Sequence, residues 1–178
     1  MTITKWNLDP GHSAVGFSVR HMMITTVRGE FSKYSASIAY DPAQPEATRL
    51  DATIDVSSID TREPKRDGDL RGELFFDAEH HPQMTFVSKR ARATEAGIEV
   101  IGNLTIRGIA KEVALAISEI SGVQTDLRGN TRMGATATAK IKRSDFAMTW
   151  NKALDTGGVV VGDVVTISIE ASLVASES

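Results

Sequence analysis

The sequence predicts an all-β protein of about eight short antiparallel strands, arranged as a sandwich or an up-and-down barrel. Two observations carry this. Apolar and polar residues alternate with a period of two in stretch after stretch. Glycine and proline clusters break the chain between those stretches at short, regular intervals.

From Ala14 to His21, residues Val15, Phe17, Val19 and His21 share one face, and Ala14, Gly16, Ser18 and Arg20 the other. From Arg49 to Val56, Leu50, Ala52, Ile54 and Val56 alternate with Arg49, Asp51, Thr53 and Asp55. This is the signature of a half-buried strand. It recurs over Met84–Ala93, Ile98–Ile106, Glu112–Ser118, Met133–Ile141 and Val164–Leu173, and more weakly over Phe31–Tyr40. Asp41-Pro42, His81-Pro82, Ala96-Gly97, Arg107-Gly108, Gly129-Asn130 and Gly157-Gly158 read as turns, and Gly162 as a bend or bulge. One charged segment, Arg62–Leu74, has no period of two. A short helical segment is expected around residues 62–72, capped by Ser57, Ser58 or Asp60. Ala175 to Ser178 read as a loose tail.

With 178 residues the chain fits one domain, residues 1–178. It is 41% hydrophobic and 24% charged, a globular composition. Twenty Lys and Arg stand against 23 Asp and Glu, a net charge of -3, so no basic footprint for nucleic acid is present. There are no cysteines, which removes disulfides, thiol catalysis, Cys-ligated zinc and iron–sulfur clusters. No apolar run reaches the ~20 residues of a membrane-spanning helix, so no integral membrane segment is expected. The N-terminal MTITKWNLDPGHSAV has no basic n-region or apolar h-region. The expected location is the cytoplasm, or the periplasm or outside if a signal has been removed.

Few residues suggest catalysis. The four histidines, His12, His21, His80 and His81, together with Asp77 and Glu79, match no metal-binding spacing. Asp9, His12 and Ser13 carry the residue types of a nucleophilic triad, but they are local in sequence, and no Gly-x-Ser-x-Gly elbow is present. A turn stabilised by hydrogen bonds explains them better. The glycines of TGGVVVGD lack the Gly-Lys-Ser/Thr of a phosphate loop. No cofactor is called for. If the strands close into one barrel, about eight of them leave an interior that side chains just fill, or that holds one small ligand. Aromatic residues are only 6%, and the inward run Met133, Ala135, Ala137, Ala139 is small, which favours a cavity.

Four ordered segments then resemble the YceI-like family of lipocalin-like, polyisoprenoid-binding proteins. WNLDPGHSAVGFSVRHMMITTVRGEF carries Trp6, Asp9, His12, Ser13, Phe17, His21, Gly29 and Phe31. RDGDLRGELFFDAEHHPQMTF carries Arg66, Asp67, Leu70, Phe75, Phe76, Pro82 and Phe86. GNLTIRGIAKEV carries Gly102, Leu104, Thr105, Arg107, Gly108 and Lys111. IKRSDFAMTWN and VVVGDVVTI follow, with Arg143, Asp145, Phe146, Gly162, Asp163 and Val165. Ala147 departs from the pattern, standing where glycine is expected, and an altered turn is expected there.

The resemblance implies an eight-stranded antiparallel lipocalin-like barrel that binds, sequesters or transports a long-chain isoprenoid or other amphiphilic lipid without catalysis, and a possible homodimer. Val15, Phe17, Val19, Ile54, Phe86, Leu104, Leu115, Ala135, Ala137 and Ile167 are the inward-facing candidates to line the ligand site, with plain core packing as their alternative. His21, Arg66 and Asp67 are candidates for the head group or the entrance. The competing readings are a small hydrolase or isomerase using His12 or His21, metal-assisted or not, and a dimeric scaffold with a solid barrel.

Overall fold

A computed structural model describes residues 4–155 and 157–176. The strands are β1 (Thr4–Leu8), β2 (Ala14–His21), β3 (Thr25–Phe31), β4 (Tyr34–Tyr40), β5 (Arg49–Asp55), β6 (Ile59–Asp60), β7 (Gln83–Ala93), β8 (Gly97–Ile106), β9 (Ile109–Ser118), β10 (Gln124–Thr125), β11 (Thr131–Lys142) and β12 (Val161–Ala175). One helix, α1 (Pro64–Arg71), follows β6. The sheet runs β10-β11-β9-β8-β7-β5-β4-β1-β12-β2-β3-β6, and β11 also pairs with β12. That last pairing closes the sheet into a barrel.

Several strands are halves of one bent stave. Leu8 of β1 pairs with Leu173, and Ala14 of β2 pairs with Glu170, so β1 and β2 lie end to end along β12. The break is a 3-10 turn over Pro10–His12, where proline has no N–H to give a ladder. In the same way β4 and β3 form one stave, and β5 and β6 another. Eight antiparallel staves result, each next to its sequence neighbour, with the last, β12, closing on the first, β1–β2. Closure is least extensive between β9 and β11, which share three residue pairs, Thr136–Ser118 to Thr138–Ala116.

The expected strands all form, with three corrections. Phe31–Tyr40 is two strands, split at Ser32 and Lys33. Thr25–Phe31 is a strand that the alternation did not reveal, because its inward positions include Gly29. Gly29 has a reason to lack a side chain: a Cβ there would sit 2.5 Å from the Phe17 ring. Thr4–Leu8 is a further unforeseen strand. At the chain's end, Ala175 still belongs to β12 and the Ser176 amide donates to the Lys5 carbonyl at 2.8 Å. The rest of the expected tail, Glu177 and Ser178, lies outside the described residues, as does Thr156 beside the Gly157-Gly158 turn.

Turn chemistry behaves as the residues dictate. Arg107 and Gly108 both take positive φ, 55° and 72°, and join Ile106 to Ile109 in a two-residue hairpin. A register shift lies between Val161 and Val165, around Gly162. Ala147 takes φ 61°. The alanine therefore keeps the left-handed conformation that glycine would adopt without strain.

The charged segment forms α1 as expected, but its cap differs. Glu63, not Ser57, Ser58 or Asp60, caps it by accepting from the Lys65 and Arg66 amides. Glu63 is the residue immediately before Pro64, where helix φ begins. Arg71 ties the helix back to the barrel by donating to the Ser57 carbonyl at 3.0 Å and the Ile59 carbonyl at 3.1 Å. Beyond the helix, Arg107 donates to the Phe75 carbonyl at 2.8 Å and the Ala147 carbonyl at 3.0 Å. The helix and the loop after it thus cover one end of the barrel. At the other end Trp6, Ile38, Met133 and Leu173 form a small buried cluster of their own.

Candidate apolar binding site

Two cavities lie inside the barrel, one above the other. The far-end chamber, about 160 Å³, is walled by strands: Leu50 and Ala52 from β5, Phe86 from β7, Leu115 and Ile117 from β9, Ala135, Ala137 and Ala139 from β11, Ile169 and Ala171 from β12. The helix-end chamber, about 120 Å³, is walled by Phe17 and Val19 from β2, Ile106 from β8, Ile141 from β11, and Leu70, Phe75, Phe76 and Met148 from the covering segments. Both surfaces are almost wholly apolar. A dry cavity of about this size lined by Leu, Ile and Phe is known to take up small apolar molecules.

Strand register explains the stacking. Along β11, Met133 to Ala139 face the far chamber and Ile141 the helix-end one. Met133 to Ile141 is roughly 27 Å of strand. Tilted by about 40°, as barrel strands are, it covers roughly 20 Å of axis. The two chambers in line are therefore long and thin.

All ten inward-facing candidates stand on these walls. Phe86, Leu115, Ala135 and Ala137 face the far chamber, Phe17 and Val19 the helix-end one, and Val15, Ile54, Leu104 and Ile167 face both. Thr138 is exposed while Ala137 is buried, so the predicted faces of β11 hold.

The three polar candidates stand elsewhere. His21 ends β2, opposite Val161 and Thr25, and is on neither wall. Arg66 donates from Nε to the Thr61 hydroxyl at 2.8 Å and from Nη2 to the Thr61 carbonyl at 2.7 Å. Asp67 is buried and accepts from the Thr61 amide at 2.8 Å and from its hydroxyl. Both side chains fix the entry to α1 instead of facing the cavities.

The sequence pattern missed the aromatic floor of the helix-end chamber. Phe31 meets Phe17 at 5.7 Å between centroids and Phe76 edge-on at 5.9 Å. Phe75 and Phe76 come from a loop, where no period marks a face. The adjacent aromatic pair in an otherwise charged stretch was the available signal. Tyr34, on the far wall, was also missed. Burial and the nearby charges of Glu30 and Asp9 raise its pKa.

Arg143 reaches the helix-end wall, yet its guanidinium is committed to backbone. It donates to the carbonyls of Gly162 (2.9 Å), Met148 (2.7 Å), Trp150 (3.0 Å) and Val161 (3.2 Å). Burial lowers its pKa. Four carbonyls from two segments make it a clamp on the 148–162 loop.

The Asp9 group proves to be a corner clamp. Asp9 accepts from the Gly11 amide at 3.1 Å, lies 2.8 Å from His12 Nδ1, and accepts from Arg132 Nη1 at 2.7 Å. Arg132 also donates to Asp126. Hydrogen bonds from Arg132 and then His12 lower the Asp9 pKa to about 2, and Arg132 also holds Asp126 well below the usual carboxylate range. Ser13 Oγ accepts from the Ser172 amide at 2.9 Å. These bonds tie the β1–β2 corner to β11 and β12. His80 Nδ1 lies 2.9 Å from Asp77, which raises the His80 pKa. Among the described residues no group of three His, Asp or Glu side chains is placed to hold a metal ion.

The chain that forms this barrel matches the YceI-like domain over residues 6–173. The chain belongs to the YceI-like family. A UPF0312 protein of Staphylococcus epidermidis is 34% identical over 171 residues, covering 96% of each chain. One from Staphylococcus aureus is 31% identical over 176 residues, covering 98% of this chain and 100% of its own. Among solved structures, Burkholderia cenocepacia BcnA superposes with a TM-score of 0.80 at 30% identity, covering 95% of this chain and 99% of that one. The Campylobacter jejuni YceI protein gives 0.73 at 35% identity, covering 96% and 97%. A polyisoprenoid-binding domain from Saccharophagus degradans shares the fold at 0.67 and 16% identity, covering 96% and 98%. Among the described residues no helix is long and apolar enough to cross a membrane.

Proposed function

We propose that this YceI-like protein binds and carries a long-chain isoprenoid or similar amphiphile, with the apolar chain inside the barrel and no chemistry performed on it. The observation that carries this reading is the pair of apolar chambers stacked along the barrel axis. Three successive inward residues of β11, Ala135, Ala137 and Ala139, are alanines on the wall of the far chamber, where larger side chains would take up the space. The Saccharophagus degradans domain of the same fold is polyisoprenoid-binding, which supports the same ligand class.

Burial contributes about 0.8 kcal/mol per methylene. Ten methylenes give roughly 8 kcal/mol before ordering costs, nominally around micromolar. The test is titration with a fluorescent prenyl or fatty-chain probe. Saturable uptake by one site per chain, reversed by an unlabelled isoprenoid, is expected. Folded protein that takes up neither kind of probe would refute the reading.

A further inference from the structure

We infer that Val15, Ile54, Leu104 and Ile167 form a waist between the two chambers, and that this waist restricts the ligand to a single flexible chain and sets how much of that chain is bound. The inference rests on the carrier reading and specifies the ligand's shape. These four side chains alone, among the described residues, border both cavities. They come from four different strands, β2, β5, β8 and β12, distributed around the ring and not along one side. Ile167 pairs with Phe17 on one side and Ala139 on the other; Leu104 pairs with Phe86, and Ile54 with Met84. The waist is therefore supported laterally by wall residues of the chambers it separates.

Three of the four are β-branched, and such side chains have few χ1 choices. They cannot swing aside as a methionine would. Val15 and Leu104 are also well buried, at 6% and 7% exposure. A chain that fills both chambers must thread this ring. A linear or methyl-branched chain can do so one segment at a time. A rigid fused-ring amphiphile is stopped in one chamber. Almost no polar atom surfaces on either wall, so nothing inside rewards a polar head group. Discrimination must then come from the length and width of the hydrocarbon.

The test uses the full-length protein and three probes: a short fatty acid that fits one chamber, a long prenyl alcohol, and cholesterol as the fused-ring probe. Wild-type protein should bind the long chain at least tenfold more tightly than the other two, since each further methylene buried adds roughly fourfold. Ile167→Phe should narrow the waist, lowering long-chain affinity at least tenfold and short-chain affinity by a clearly smaller factor. Val15→Ala should widen it and raise cholesterol affinity towards that of the long chain. It also serves as the second variant if Ile167→Phe does not fold. Equal losses for short and long chains in Ile167→Phe, or tight cholesterol binding by the wild type, would overturn the waist while leaving the carrier reading standing. Absence of binding for all three probes would instead refute the carrier reading.

Discussion

The two chambers are built differently. The far-end chamber is walled by strands, with alanines on β11 facing leucines and isoleucines across the lumen. The helix-end chamber owes much of its wall to aromatic rings and to residues between strands, Leu70, Phe75, Phe76 and Met148. One is a gap left by small residues, and the other is a space enclosed by a packed cover. In the first, small side chains on one wall leave the empty volume. In the second, rings are braced on each other, Phe17 on Phe31 on Phe76. Stability should therefore be concentrated at the helix end, and adaptability to a ligand at the far end.

The largest expected effect tests that division. Phe31→Ala should destabilise the protein by about 3–5 kcal/mol, as removal of a buried ring does. Ile117→Ala, on the far wall, should fall at the low end for such truncations, about 2 kcal/mol, because part of its surface already faces a void. Urea midpoints of ligand-free protein decide the point. A larger loss for Ile117→Ala would reverse the comparison.

A second pair sharpens it. Ala137→Phe in a solid core would cost about 1–3 kcal/mol by overpacking. In the far chamber the new ring has space, so the urea midpoint should move little while long-chain uptake falls. Thr138→Phe, on the outer face, should leave uptake intact. Strong destabilisation by Ala137→Phe with unchanged affinity of the folded fraction would mean that the chamber is packed at that level.

The corner clamp at Asp9 gives a pH dependence. Its folded pKa, about 2, lies below the ordinary carboxylate value, so its contribution is full above about pH 4 and is lost as pH falls towards 2. Asp126 acts in the same direction. Asp9→Asn should be less stable at pH 6 and lose less stability between pH 4 and pH 2 than the wild type. Acid unfolding curves that run parallel would show that the clamp is not coupled to folding.

Much of this was legible in the sequence. Where the wall is strand, the period of two exposes it: Val15, Phe17, Val19, Ile54, Leu104, Leu115 and Ile167 alternate with small or polar neighbours, and the fold makes those alternate positions one surface. Where the wall is loop, no periodicity exists, and nothing in the pattern assigns Phe75 and Phe76 to a face. The surroundings of Arg66 and Asp67 are not legible for a related reason. A charged run near a barrel end suggests an entrance, but sequence does not reveal that the Thr61 amide, hydroxyl and carbonyl occupy both side chains. Gly29 hid β3 because its role, clearance for the Phe17 ring, depends on a neighbouring strand.

The smallest expected effect concerns the helix end's rim. Ala147 holds φ 61° in a conformation unfavourable for an L-residue by about 1–2 kcal/mol. Glycine would relieve that but add freedom to the unfolded chain worth about 0.4–1 kcal/mol. Ala147→Gly should therefore raise stability by roughly 0.5–1 kcal/mol in urea, with no change in probe affinity for the far chamber. A destabilised variant would show that the alanine methyl packs usefully at that turn.

Occupation of the barrel by an apolar chain can be measured outright. Mass spectrometry of an organic extract from the purified protein, paired with native mass spectrometry of the same sample, addresses it directly. The expected result is a long-chain isoprenoid or related amphiphile in the extract and a matching mass increment of one molecule per chain. Folded protein with no organic increment, which also gains none after incubation with a long-chain prenyl alcohol, would contradict the account.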